Sequence, residues 1–100
     1  MASPEEARTM EYLHKEYDLR MDDVVEVTLS GNAANVLLLD PENYQKYRQG
    51  LAYQYFGGYA RTSPFRLQAP HAGHWHLVID LGGGAGTVQA SGRVINGALS

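Results

Sequence analysis

The chain has 100 residues, of which 44% are hydrophobic and 19% are charged, and its net charge is -3. This size and composition predict one compact globular domain rather than a disordered chain. The sequence contains no cysteine, which excludes disulfides, thiolate-bound zinc and a thiol nucleophile, and its net acidity argues against a nucleic-acid partner.

The first residues, MASPEEART, precede the patterned part of the sequence. We expect residues 1–9 to be a disordered extension and residues 10–100 to form a single domain. The leader lacks the positive and apolar regions of a signal peptide, and no run approaches the roughly 20 apolar residues of a membrane-spanning helix. We therefore expect a cytoplasmic protein without a membrane partner.

The first half of the patterned region predicts three strands. "MEYLHKEYDL", residues 10–19, fits a strand, with Tyr12, His14, Glu16 and Asp18 on one side and a mostly apolar set on the other. "DVVEVTLSG", residues 23–31, alternates with the period of a half-buried strand, and "ANVLLLD", residues 34–40, is a shorter apolar run. Because turn residues separate these last two runs, we expect them to pair as a hairpin.

A short helix is predicted over "PENYQKYRQ", near residues 41–49. Asp40 is suited to cap its free amide groups, Pro41 fits the first helical position, and Gly50 fits the exit. Tyr44 and Tyr47 lie three residues apart, so we expect them to share the inner face of this helix.

After Gly50 the pattern returns to short strands. These are "AYQYF", a break at Gly57-Gly58, "FRLQAP", "HWHLVIDL" and "GTVQASGRVI". Turn signals that recur about every 8–12 residues are typical of an all-β fold. The predicted fold is therefore a single-domain β-sandwich, jelly-roll-like, with one short helix.

The histidines in and just before the run "HWHLVIDL" allow two interpretations. In a strand, His74 and His76 lie on one face and Trp75 on the other, which we expect to be the core face. The set His71, His74 and His76 could bind a metal with cupin-like chemistry, since His74, His76 and Asp80 resemble the first cupin metal motif. However, Asp80 lies roughly 13 Å beyond His76 along an extended strand, and His71 or His14 would have to supply a third imidazole. We favour the interpretation that these histidines are hydrogen-bonded or face the solvent, and we expect no cofactor.

The glycine run "LGGGAG", residues 81–86, does not predict a phosphate-binding loop. Such a loop needs a helix immediately after it, whereas the following residues read as a strand. We expect a flexible hairpin loop in which glycines adopt positive φ angles. No serine lies in a nucleophile motif, and we assign no catalytic residue.

Residues 44–61, "YQKYRQGLAYQYFGGYAR", combine aromatic rings with cations. Such a combination suits stacking on a sugar or a base, or a protein contact, although some of these rings could instead complete the core. We take Tyr53, Tyr55, Tyr59 and Arg61 as candidate ligand-binding residues. A loop bracketed by Gly57-Gly58 and Ser63-Pro64 is the expected binding rim.

Four segments together resemble a bacterial family catalogued as a domain of unknown function, number eighteen eighty-three: "MEYLHKEYDL", "VVEVTLSGNAANVLLLDPENYQKYRQG", "YFGGYARTSPFRL" and "PHAGHWHLVIDLGG". The residues that carry the resemblance are Asn35, Val36, Asp40, Asn43, Tyr44, Tyr47 and Gly50, then Gly57, Gly58, Ser63, Pro64, Gly73 and Trp75. It implies a compact all-β sandwich with a short helical insertion and brings no catalytic residues. Independently, the short amides of Asn35 and Asn43 are expected to bond to the backbone around the strand-to-helix turn.

These observations favour a small binding or interaction module over an enzyme. Its partner would be a protein, a glycan or a small anionic ligand, held by the aromatic and basic residues. The alternatives are a structural domain that self-associates as a homodimer through a sheet edge, or a metal-binding histidine site.

Overall fold

The structure is a computed structural model that describes residues 12–82 and 86–96. This part of the chain contains seven strands and one helix: β1 Leu13–Leu19, β2 Val24–Gly31, β3 Ala34–Leu39, α1 Pro41–Gln49, β4 Phe56–Ala60, β5 Phe65–Gln68, β6 Gly73–Asp80 and β7 Val88–Ile95. The predicted disordered extension over residues 1–9 lies outside the described residues. The helix of the described part is too short to cross a membrane.

The strands form two antiparallel sheets that pack face to face. One sheet has the strand order β1-β6-β3-β4 and the other has the order β5-β2-β7. Their facing sides enclose the main core, in which Val25, Val27, Val36, Leu38 and Trp75 are almost completely buried. The predicted all-β sandwich with one short helix is confirmed, whereas its jelly-roll-like connectivity stays a prediction.

The predicted hairpin of β2 and β3 is wrong, because the two strands lie in different sheets. β2 pairs with β5 and β7, while β3 pairs with β4 and β6. The chain crosses between the sheets at Asn32, whose backbone N–H and side-chain oxygen bond to the backbone of Thr87. Both strands turn alternate side chains towards the main core, Val25 and Val27 from β2 and Val36 and Leu38 from β3. This alternation is the same for strands that pair side by side and for strands that face each other across a core.

The predicted break at Gly57-Gly58 is also wrong. Residues 51–55 have no regular structure, and both glycines lie inside β4. Gly57 has a φ angle of 127°, and a Cβ atom there would collide with the carbonyl oxygen of Val36 on the neighbouring strand. Glycine therefore allows β4 to lie against β3. Because β4 includes both glycines, the loop that was expected to form the binding rim consists only of the short connection between β4 and β5. In this connection the Ser63 hydroxyl accepts a hydrogen bond from the Leu29 amide at 2.8 Å.

The glycine run after β6 connects two sheets instead of closing a hairpin. β6 belongs to the four-stranded sheet and β7 to the three-stranded sheet, so the predicted hairpin loop is wrong. Gly82 and Gly86 have φ angles of 65° and 140°, as expected for glycines in such a connection. Residues 83–85 lie outside the described residues.

The helix α1 is confirmed with its predicted ends and inner face. The Asp40 carboxylate accepts a hydrogen bond from the Asn43 amide at 2.8 Å, and Gly50 ends the helix in the left-handed conformation with a φ angle of 75°. Tyr44 and Tyr47 pack with Leu37, Leu39 and Val78 on the outer face of the four-stranded sheet. The helix thereby adds a third layer, and it covers part of the face on which β6 carries its histidines.

Candidate functional site

Five titratable side chains lie together on the helix-covered face of the four-stranded sheet. We call this group the histidine cluster, and it consists of His14, Glu16, Asp18, His74 and His76. The antiparallel register of β1 and β6 places Glu16 opposite His76 and Asp18 opposite His74. Since alternate residues of a strand share a face, pairing these two strands brings the whole cluster together.

The two inner histidines form a hydrogen-bonded pair beneath the helix. His14 Nε2 lies 2.8 Å from His76 Nδ1, and the two ring planes are only 9° apart. The Tyr44 ring is nearly parallel to both imidazoles, with centroid distances of 4.2 Å to His76 and 4.4 Å to His14. The two imidazole planes are therefore nearly parallel, and a single phenol ring packs against both.

The outer part of the cluster contains two solvent-exposed ion pairs that share His74. His74 Nε2 lies 2.7 Å from a Glu16 oxygen, and His74 Nδ1 lies 2.8 Å from an Asp18 oxygen. The hydrogen bond to Asp18, followed by that to Glu16, raises the pKa of His74 above its ordinary value. The bond to His74 in turn lowers the pKa of Glu16, which favours its carboxylate form.

The pKa of His76 is shifted in the opposite direction to that of His74, although the two residues are only two positions apart. Its residue is 8% exposed, and this burial lowers its pKa below the ordinary value. A neutral imidazole has one ring nitrogen with a lone pair, which can accept a hydrogen bond or bind a metal ion. The cluster therefore combines a neutral buried imidazole with an anionic carboxylate at its solvent edge.

The side chains that meet in the structure differ from the set His71, His74 and His76 that the sequence suggested as a metal site. His14, Glu16 and His76 each offer a ligand atom, and these atoms all lie within 4.8 Å of one another. His71 is not part of this group: its ring lies 4.9 Å from that of Trp75 and its Nδ1 lies 3.0 Å from the carbonyl oxygen of Ala72. His74 is hydrogen-bonded and exposed, whereas His76 is hydrogen-bonded to His14 and covered by Tyr44, so each of them fits the expectation of a hydrogen-bonded or solvent-facing histidine.

Asp80 takes part in a different network farther along β6. It accepts hydrogen bonds from the Tyr47 hydroxyl at 2.5 Å, the Asn35 side chain at 2.9 Å and the Gly82 amide at 2.9 Å. Burial, followed by the bond to Asp80, raises the pKa of Tyr47 well above its ordinary value. Asn35 thus bonds to a side chain rather than to the turn backbone, contrary to expectation, and the network fastens α1 to the sheet.

A second concave feature, which we call the aromatic cleft, lies beyond the start of α1. Its volume is about 480 Å³, and it is lined by Leu38, Asp40, Asn43, Tyr53, Gln54, Tyr55, Phe56, His71 and Trp75. Two of the four candidate ligand-binding residues, Tyr53 and Tyr55, line this cleft. The other two candidates, Tyr59 and Arg61, do not line the cleft. Tyr59 lies on β4 and is paired with Asn35 of β3, and Arg61 directly follows the end of β4.

Hydrogen bonds and a ring contact fix the wall of the aromatic cleft, and the sequence predicted only the one made by Asn43. The Asn43 side-chain oxygen accepts a hydrogen bond from the Gln54 amide at 2.9 Å, so it bonds to backbone as expected and keeps the segment 51–55 beside the helix. Phe56 meets Trp75 edge to face with centroids 5.8 Å apart, and the indole N–H donates to the His71 carbonyl at 3.2 Å. The cleft thus joins the start of α1 to the segment 51–55 and to the turn before β6.

Comparison with known families assigns the domain. A family model described as "Domain of unknown function (DUF1883)" matches residues 10–97. The chain belongs to the DUF1883 family. No curated protein and no solved structure was matched. The DUF1883 match spans β1 to β7, so the histidine cluster and the aromatic cleft both lie within the family domain.

Proposed function

We propose that this DUF1883 domain is a small binding module whose aromatic cleft takes an uncharged ligand with a flat apolar face and several hydroxyl groups, as in a sugar ring. The observation that carries this proposal is the makeup of the cleft wall. Tyr53, Tyr55 and Phe56 lie there beside the polar side chains of Asn43 and Gln54. A volume of about 480 Å³ is within the range of roughly 300–1,000 Å³ that is usual for small-molecule sites.

The apolar half of the proposed contact comes from exposed rings. Tyr55 and Phe56 are 46% and 48% exposed, whereas large aromatic side chains are more often buried in the core of a domain. Both are rigid, flat surfaces that lose little conformational entropy when a ligand stacks on them. The hydrophobic effect then favours the apolar face of a sugar over water.

The charge of the cleft narrows the choice among the predicted ligands. Neither lysine nor arginine is among the residues that line it, and Asp40 supplies a carboxylate. A small anion would therefore meet no lysine or arginine there, and the basic candidate Arg61 lies elsewhere. Hydroxyl groups, by contrast, can donate to carboxylate and amide oxygens and accept from amide N–H groups.

The test is a titration of the isotopically labelled domain with cellobiose and N-acetylglucosamine, with glucose 6-phosphate as the anionic comparison. We expect the neutral sugars to shift the amide signals of Gln54, Tyr55 and Phe56 and to change the fluorescence of Trp75, the single tryptophan. Tyr55→Ala should weaken the binding about tenfold or more. Tyr59→Ala is the matched control and should bind like the unchanged domain.

Two results would contradict the proposal. One is the absence of localised shifts with either neutral sugar. The other is an equal loss of affinity in Tyr55→Ala and Tyr59→Ala, which would mean that the cleft is not the contact surface. Light scattering of the same samples tests the self-associating alternative, which requires a dimer.

A further inference from the structure

We propose that His14, Glu16 and His76 form a binding site for a divalent transition-metal ion such as Zn²⁺, Co²⁺ or Ni²⁺. The site lies on the helix-covered face of the four-stranded sheet and shares no residue with the aromatic cleft. The proposal is therefore independent of the proposed sugar-binding function.

The donor atoms are already close to the separations that a metal ion requires. His14 Nε2 and His76 Nδ1 lie 2.8 Å apart, and a Glu16 oxygen lies 4.0 Å from His14 Nε2. Metal–nitrogen bonds of about 2.0–2.1 Å in a tetrahedral site place two nitrogens about 3.3 Å apart. The two nitrogens would have to separate by about half an ångström, and both imidazoles would have to turn so that their lone pairs converge on the ion. The ion would then replace the proton of their hydrogen bond.

The residues around the donors hold them in place as outer partners do in known metal sites. Tyr44 restricts both imidazoles by stacking, and its hydroxyl lies 3.4 Å from His14 Nδ1, the nitrogen that faces away from His76. The other oxygen of Glu16 is held by His74, which is itself bonded to Asp18. Such contacts orient the ligands and select the nitrogen that binds.

The donor types favour a transition metal over magnesium or calcium. Two imidazole nitrogens and one carboxylate oxygen suit zinc, cobalt, nickel or iron, whereas Mg²⁺ and Ca²⁺ prefer oxygen ligands throughout. The Glu16 side chain is 51% exposed, so the site faces solvent on that side. Three protein ligands with one solvent-facing side leave room for water or an external ligand on the ion.

The test is calorimetric titration of the untagged domain with Zn²⁺, supported by the visible absorption of Co²⁺, which reports coordination. His14→Gln removes a proposed ligand, and His71→Gln is the matched control because His71 is an exposed histidine outside the cluster. We expect one ion per chain, a loss of more than about 100-fold in affinity for His14→Gln, and no change for His71→Gln. His74→Gln should have an intermediate effect, a loss of about 10–100-fold, because it removes an outer partner.

Circular dichroism of each variant shows whether it is folded, and Glu16→Gln, at an exposed position, provides a second ligand variant if His14→Gln fails this check. The proposal is overturned if the unchanged domain binds no Zn²⁺ at micromolar concentrations. It is also overturned if the folded ligand variants retain its affinity and its Co²⁺ spectrum. Sugar titrations of His14→Gln and Glu16→Gln, whose positions lie outside the aromatic cleft, report on the cleft separately, so failure of one proposal is distinguishable from failure of the other.

Discussion

The phenol ring of Tyr44 lies parallel to the imidazole of His76, with centroids 4.2 Å apart and 5° between the two planes. Because the same ring also covers His14, the helix is stacked against side chains of two neighbouring strands, β1 and β6. The Tyr44 hydroxyl continues the contact to the Tyr12 hydroxyl at 3.1 Å. One aromatic residue of α1 thus links the helix to the β1 edge of the sheet.

Truncation of Tyr44 should separate its ring from its hydroxyl. Tyr44→Ala removes a buried ring and should lower the free energy of unfolding by about 3–5 kcal/mol, as for other large aromatic truncations. Tyr44→Phe keeps the stacking and loses hydrogen bonds, for which we expect about 0.5–1.5 kcal/mol. Urea denaturation measures both values, and equal losses in the two variants would contradict the stacking role.

The hydrogen bond from Tyr47 to Asp80 should contribute measurably to stability. Tyr47→Phe removes this donor to a half-buried carboxylate, and bonds to charged groups contribute about 1.5–3 kcal/mol. Tyr59→Phe is the matched control, because Tyr59 is 63% exposed and its variant should stay within about 0.5 kcal/mol of the unchanged domain. A similar effect of both substitutions on the urea midpoint would disprove the assignment.

We expect the ion pairs of Glu26 to make the stability of the domain decrease in acid. Arg93 and Arg66 flank its carboxylate at 2.6 Å and 2.7 Å, and the hydrogen bond from Arg93 is the main reason that its pKa lies below the ordinary value of 4.5. A lowered pKa in the folded state means that the carboxylate stabilises the fold above about pH 4.5, and that this contribution is lost as the pH falls through the folded-state pKa. Glu26→Gln should therefore be less stable than the unchanged domain at neutral pH. The difference should shrink in acid, and a difference that stays constant between neutral and acidic pH in urea titrations would refute this.

Trp75 should report the packing between the sheets. Its residue is 1% exposed, so the folded domain should emit at shorter wavelength than the unfolded chain. Trp75→Ala should lower the free energy of unfolding by about 3–5 kcal/mol, because it leaves a cavity that the surrounding side chains fill only in part. An emission maximum that does not move on unfolding would contradict this burial.

Local patterns in the sequence were sufficient for most of the elements. The capping residue Asp40 and the exit at Gly50 bound α1 as predicted, because capping depends on neighbours within one turn. Alternation along β6 likewise placed Trp75 inside and His74 and His76 on the opposite face, since successive side chains of a strand point in opposite directions. These features depend on backbone geometry over a few residues.

The identity of neighbouring strands depends on long-range packing, which local patterns do not show. The alternation of β2 and β3 is compatible with a hairpin and with strands in facing sheets, and the observed arrangement is the second. The histidine cluster depends on the pairing of β1 with β6, which are separated by more than 50 residues, and no local pattern encodes that pairing. His14 and Glu16 already lay on one predicted face, but their proximity to His76 follows from long-range packing. The residue pattern of each segment therefore shows which side chains that segment can bury, whereas the packing of the sheets and the helix brings particular polar side chains together.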